Sequence, residues 1–207
     1  MLAIWQIDRG NTRRAERVAF DRMTQERGAP LQLTDIALTA PPRWQRVVIV
    51  GRAQGPAAKL DNSMREHQVG VRILQPVRLP DHTAILVDRG WLPGCCIEQA
   101  LPALPARVSG RWVPSPRRFT LPGATIGSQG RIDALDRSAL ARQLGLPLRE
   151  GVVVLEETLS PLHPWPVRPA SDPQRHYAYA VQWAFIGLSL LLMRGFYVRK
   201  QHAYLKH

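Results

Sequence analysis

The sequence predicts an α+β protein: a mostly antiparallel β-sheet or small barrel with flanking helices and a C-terminal transmembrane helix. Three observations predict it. Short apolar runs alternate with Gly/Pro turn signals from Trp44 to Glu156. Helical spacing of apolar residues is confined to 5–27 and 137–144 before the carboxyl end. Residues 178–193 form one uninterrupted non-ionic stretch. Of the 207 residues 45% are apolar, enough for a core, which excludes wholesale disorder.

The elements follow in order. Residues 5–27 read as a charged amphipathic helix with Ala15, Val18, Ala19 and Met23 at helical spacing, ended by Gly28 and Pro30. Arg13, Arg14 and Arg17 form its solvated or headgroup-facing side. Residues 44–50 (WQRVVIV) read as a strand stopped by Gly51, and 57–63 follow the Gly55-Pro56 turn. Residues 69–79 alternate around Val71, Ile73 and Val77, and Pro76 predicts a break or a sheet edge. Pro80-Asp81 turns the chain into 83–91 (TAILVDRGW), the strongest strand pattern, and 108–113 and 152–156 complete the set. Asp136 is placed to cap a helix over 137–144, with Gly145 as its stop and Pro147 beyond. Five prolines between Pro161 and Pro173 predict an extended linker.

Residues 177–198 are long enough, at about 1.5 Å per residue, to cross about 30 Å of hydrocarbon. Tyr177, Tyr179 and Trp183 lie toward one end, and Phe196 and Tyr197 toward the other, as in an aromatic belt. Arg194 stands within about a turn of Arg199 and is expected to snorkel to the headgroups. Beyond the span the chain carries Arg199, Lys200 and Lys206, with no acidic residue after Asp172, which predicts a cytoplasmic tail. The bulk of the chain then lies outside. The opening Met1-Leu2-Ala3-Ile4-Trp5 reads as the last turn of a first membrane helix. The expected organisation is a membrane-proximal helix (1–27) following that missing span, an external β-rich domain (28–160) and a Pro-rich linker (161–176). A transmembrane helix (177–198) and a cytoplasmic basic tail (199–207) follow.

Lys+Arg number 28 against 16 Asp+Glu, a formal +12, and only Lys59, Lys200 and Lys206 are lysines. The surplus suits an anionic partner, of which the lipid bilayer fits the topology. Basic motifs interleaved with aromatics are missing, so no nucleic-acid partner is expected. The two cysteines, Cys95 and Cys96, are adjacent, which excludes a disulfide scaffold and leaves an incidental, redox or metal role. Phosphate-binding loops, GxGxxG, GxSxG and HExxH are all missing. His67, His82 and His163 are scattered in loops, and Asp133 with Asp136 or Glu156 with Glu157 read as solvated carboxylates. No active site is predicted, and the protein is not expected to be an enzyme.

His176 differs by its position at the start of the membrane segment. On a helix it shares a face with Tyr179, Ala180, Trp183 and Gly187. An imidazole beside an aromatic and small side chains suits a haem-iron site, or else an interfacial histidine bonded to headgroups or Gln182. In the Arg89-Gly90-Trp91 block, period two places Arg89 and Trp91 on one face continued by Val87. The block reads as a packing corner, or as a docking surface with Arg89 as its cation.

Trp5-Gln6 with Arg9, then Asn62, Gly70, Pro76, Val87-Asp88-Arg89-Gly90-Trp91-Leu92-Pro93, and His176-x-x-Tyr179-Ala180-x-Gln182-Trp183 occur in that order. In these blocks the chain resembles the Surf1 family. The resemblance implies a bacterial inner-membrane assembly factor for haem-copper cytochrome c oxidase, with its main domain periplasmic. The implied partners are the oxidase catalytic subunit and the haem a synthesis machinery. The implied cofactor is haem a, held transiently, with His176 on the iron and Tyr179 and Trp183 beside it. Arg89, Gly90, Trp91, Trp5, Gln6 and Arg9 become the candidate interaction surface. The rival reading keeps the topology and makes the external domain a haem-independent docking platform.

Overall fold

Two strands, β2 (Arg46–Val50) and β3 (Arg52–Ala53), are separated by Gly51 alone, and that residue closes the sheet. β2 pairs antiparallel with β7 (Arg107–Val113), while β3 pairs antiparallel with β5 (Gln68–Arg78). β7 continues to β9 (Leu148–Leu155), β9 to β6 (Ala84–Pro93), and β6 back to β5. The ladder therefore runs round to its starting segment as a small barrel. A Cβ on Gly51 would stand 2.5 Å from the Arg78 carbonyl oxygen, so the corner needs glycine. The computed structural model describes residues 1–25, 29–35, 40–96, 98–115, 131–132, 135–169 and 172–204. It divides into two compact units, 26–167 and the pair of segments 1–25 and 168–207.

In the barrel unit, β4 (Ala58–Arg65) pairs with β5, and two short strands, β1 (Leu31–Gln32) and β8 (Arg131–Ile132), add parallel edges to β2 and β4. The sheet is mixed, with antiparallel pairings in the majority. Val47, Ile49, Val77, Ile85, Val87 and Val153 fill one cluster. Leu60, Leu74, Leu86 and Val152 form a second cluster, with Leu140 of helix α2 (Arg137–Leu144) packed on it. Successive residues of β6 thus point into different cores, which is why that strand reads as a continuous apolar run. Helix α2 has the predicted bounds. The Asp136 carboxylate accepts from the Ala139 N–H at 2.9 Å, and Gly145 ends the helix in the left-handed region.

Pro76 does not break β5 but sits at a local edge of the sheet. Pairing with β4 stops at Leu74 and pairing with β3 starts at Val77. The Pro76 carbonyl, which accepts from the Gln54 N–H, and its nitrogen both face that changeover, so the ladder loses no donor. The first part of the proline-rich segment touches the sheet. His163 exchanges both backbone hydrogen bonds with Trp91, Leu162 is buried in a third cluster, and the Arg72 guanidinium lies 4.5 Å from the centre of the Trp165 ring. These apolar and aromatic side chains dock the first part of the proline segment on the sheet.

In the other unit, α1 (Leu2–Gln25) and α3 (Pro173–Tyr204) pack antiparallel. α3 begins at Pro173, four residues ahead of the expected span. Pro173 sits at the first helical position, where a missing N–H costs nothing, and the Asp172 carboxylate accepts from the Gln174 N–H at 3.1 Å. The helix also takes in Arg199 and Lys200, while Lys206 lies outside the described residues. Over residues 173–201 it is long and apolar enough to cross a membrane, with mean hydropathy 1.4.

The inward face of α1 also departs from expectation. Ala15, Val18 and Ala19 are exposed and Met23 is half-buried, whereas Gly10 is buried and Ala3, Gln6 and Arg13 are half-buried. Contact with α3 is made at a glycine: a Cβ on Gly10 would meet Tyr177 Cε1 at 2.5 Å. Close backbone approach selects this face instead of the apolar stripe. Gly28, the expected helix stop, lies outside the described residues.

Candidate functional site

In the helical unit, α1 and α3 bring Gln6 and His176 together, 170 positions apart in sequence. His176 Nδ1 lies 2.8 Å from Gln6 Oε1. An amide oxygen only accepts, so Nδ1 is the donor, and in the neutral imidazole Nε2 then holds the lone pair. That is how proteins orient an imidazole for a metal, with a donor–acceptor contact behind the ligating nitrogen. One residue on, the Tyr177 hydroxyl donates to Asn11 Oδ1 at 2.9 Å, and Arg17 approaches Asp172 at 4.0 Å. The helix pair is thereby held in one register at the level of the histidine.

Around His176 the expected face divides. Ala180 is buried, whereas Tyr179 and Trp183 are exposed and Gly187 faces open space. The surface offered beside the imidazole is therefore aromatic and accessible, with a small residue against it. Trp5 is exposed and carries Arg9 above its ring at 5.4 Å. Of the WQ-x-x-R block, Gln6 turns inward and Trp5 and Arg9 turn outward.

In the barrel unit the Arg89-Gly90-Trp91 block is a β-bulge. Trp91 stands opposite Arg72 and Asp88 opposite Leu74, so two residues, Arg89 and Gly90, oppose Ile73 alone. Gly90 has φ +121°, and a Cβ there would lie 2.5 Å from the His163 carbonyl oxygen. The extra residue corrects the period-two expectation. Trp91 falls on the side of Asp88 and Arg72, and its indole Nε1 donates to the Ser63 carbonyl at 2.7 Å. Arg89 falls on the side of Val87 and donates to the Pro102 carbonyl. Arg89, Gly90 and Trp91 are all buried, and the burial of Trp91 is that of a packing corner.

Next to the bulge, Arg72 forms a buried ion pair with Asp88, its Nε 2.8 Å from Oδ2. Burial pushes the Asp88 carboxyl above its ordinary value, against the opposing pull of the Arg72 guanidinium. A second pair joins Arg149 to Asp81 at 2.6 Å. Partial burial would raise the Asp81 carboxyl, but hydrogen bonds from Arg149 and Thr83 outweigh it and bring its pKa down to about 2. Both pairs tie strands and turns together, and both were missed in the sequence because their members are distant along the chain.

The remaining candidates are dispersed. His67, His82 and His163 are exposed, as expected of loop histidines. Glu156 pairs with Arg46 at 2.8 Å and Arg111 at 3.5 Å, and Asp136 is the helix cap. Asp133 lies outside the described residues. Cys95 and Cys96 stand on a 3₁₀ turn with sulfurs 3.0 Å apart, and the hydrogen bond between them pushes the Cys96 thiol up. Among the described residues no cluster of three His, Cys, Asp or Glu side chains could hold a metal ion.

The chain thus contains a small barrel with a buried ionic framework and a helix pair that holds one imidazole by a hydrogen bond. The model of the SURF1 family matches residues 1–188, and the chain belongs to that family. Membership makes it a relative of assembly factors and implies a role in cytochrome oxidase assembly. A comparison with curated proteins returns no match.

Proposed function

We propose that the protein is a membrane-anchored assembly factor that helps deliver haem a to the catalytic subunit of cytochrome c oxidase. The observation that carries this reading is the hydrogen bond between His176 Nδ1 and Gln6 Oε1, which leaves Nε2 as a metal-ligating nitrogen. The residues fit a haem: His176 would take the iron, and Trp183 and Tyr179 offer accessible ring surface beside it. Bound haem supplies the redox and oxygen chemistry, which is the cofactor's own. The chain's part is to hold the imidazole tautomer through Gln6, to fix the register through Tyr177 and Asn11, and to present the aromatic wall.

The anchor is α3. Its long apolar side chains are exposed around the helix, where a core helix of a water-soluble protein would bury them. Arg199 and Lys200 at its far end support a cytoplasmic carboxyl terminus, with the barrel unit in the periplasm of a bacterial inner membrane.

His176→Ala in the full-length protein, expressed in a haem a-producing host, is expected to remove most co-purified haem while leaving protein yield unchanged. Gln6→Ala is expected to retain haem with a shifted spectrum, because the ligand's basicity changes when Nδ1 loses its acceptor. Haem content and spectrum unchanged in His176→Ala would overturn the ligand role. The rival reading is a haem-independent docking platform, and the self-contained barrel unit favours it. It predicts that an oxidase subunit co-purifies undiminished when haem a synthesis is blocked.

A further inference from the structure

The barrel unit contains one buried arginine that its ionic framework does not neutralise. Arg72 has Asp88 and Arg149 has Asp81, but Arg89, only 4% exposed, pairs with no carboxylate among the described residues. Among the described residues its guanidinium donates to the Pro102 carbonyl alone. Burial without a counter-charge lowers the guanidinium's pKa from its ordinary value. An unpaired buried charge is costly, and proteins keep one where something else completes it.

Arg89 lines a cleft of about 170 Å³. Arg107, Ser109 and Glu157 are the other polar residues of its lining, and Leu104, Leu155 and Leu162 are among its apolar walls. Arg107 is exposed and so stands at the mouth, as does Glu157. One buried cation, one rim cation and one rim carboxylate suit a single negative charge better than a dianion. The apolar walls suit a ligand with a hydrocarbon body.

We propose that this cleft binds a small carboxylate-bearing ligand, its carboxylate on Arg89 and its aliphatic body against Leu104, Leu155 and Leu162. Such a carboxylate is borne by a short aliphatic acid or by the free carboxyl terminus of a peptide ending in an apolar residue. The inference is independent of the haem reading, because Arg89 belongs to the barrel unit and His176 to the helical one. A failed carboxylate titration leaves His176 untouched.

The test is calorimetric titration of the full chain in detergent with hexanoate, hexanamide, N-acetyl-glycyl-leucine and the amide of that dipeptide. Each acid is expected to bind saturably and its amide about tenfold or more weakly, since only the carboxylate makes charge-assisted bonds to the guanidinium. Tighter binding of the dipeptide acid assigns the cleft to chain termini, and tighter binding of hexanoate assigns it to aliphatic acids. Arg89→Met is expected to lower acid affinity about tenfold or more. Should that variant fail to fold, the exposed positions carry the test: Arg107→Met weakens hexanoate binding and Glu157→Gln strengthens it. Equal binding of acid and amide, or affinities unmoved by both rim substitutions, would overturn the proposal.

Discussion

The two units of this chain use apolar residues in opposite ways. In the barrel unit Val47, Ile73, Ile85 and Val153 have no exposed surface, and each such side chain contributes about 1.5–3 kcal/mol by leaving water. In the helical unit Phe185, Leu191 and Leu192 are 65–69% exposed, while the contact between helices is made by Gly10 and by the Gln6–His176 and Asn11–Tyr177 hydrogen bonds. A water-soluble fold is built like the first. The second suits a solvent as apolar as leucine, in which helices associate through small residues and interhelical hydrogen bonds. The difference teaches that the oriented histidine is a product of the inverted unit.

The comparison can be broken at its strongest point first. Asp88→Asn leaves Arg72 buried without its counter-charge and is expected to cost about 3–5 kcal/mol. Chemical denaturation of the full chain, followed by tryptophan fluorescence, measures it. A change below 1 kcal/mol would mean that the pair does not hold the barrel.

A smaller effect is expected in the helical unit. Gly10→Val drives a side chain into Tyr177 and should cost about 1–3 kcal/mol of helix pairing while leaving the barrel's denaturation midpoint in place. Its signature is specific: the hydrogen-bonded Nδ1–H resonance of His176 moves or disappears. Persistence of that resonance would show that close approach at Gly10 does not set the register.

The smallest effect is an acid slope. Asp81 has its folded pKa held near 2, below the unfolded value, so its contribution is fully present above about pH 4. It is lost as pH falls from there toward 2. Asp81→Asn should flatten that limb of the stability curve and leave stability independent of this group across the range. An unchanged acid limb would remove the Arg149 pairing from the account.

Much of this was legible along the chain because it is local. The Asp136 cap, the Gly145 stop and the apolar run of β6 each declare themselves within a few residues. The 2-residue strands β1, β3 and β8 do not, since they exist only through their partners. The bulge at Arg89-Gly90 was hidden for the same reason: one extra residue shows only when β5 is laid beside β6. The apolar spacing of Ala15, Val18, Ala19 and Met23 did not mark the face of α1 that meets α3, which centres on Gly10. At the site, family-like blocks flagged His176 and Gln6 separately, but nothing in the spacing joined them. The cleft under Arg89 had no sequence signal beyond the arginine itself.

The inverted character of the helical unit is tested most directly at Leu191. A spin label on Leu191→Cys, with Cys95 and Cys96 replaced by serine and the full chain in lipid vesicles, reports which solvent surrounds that position. Collisions with dissolved oxygen should be frequent and collisions with a water-soluble nickel chelate rare. The reverse ratio, nickel above oxygen, would place α3 in water and contradict the account.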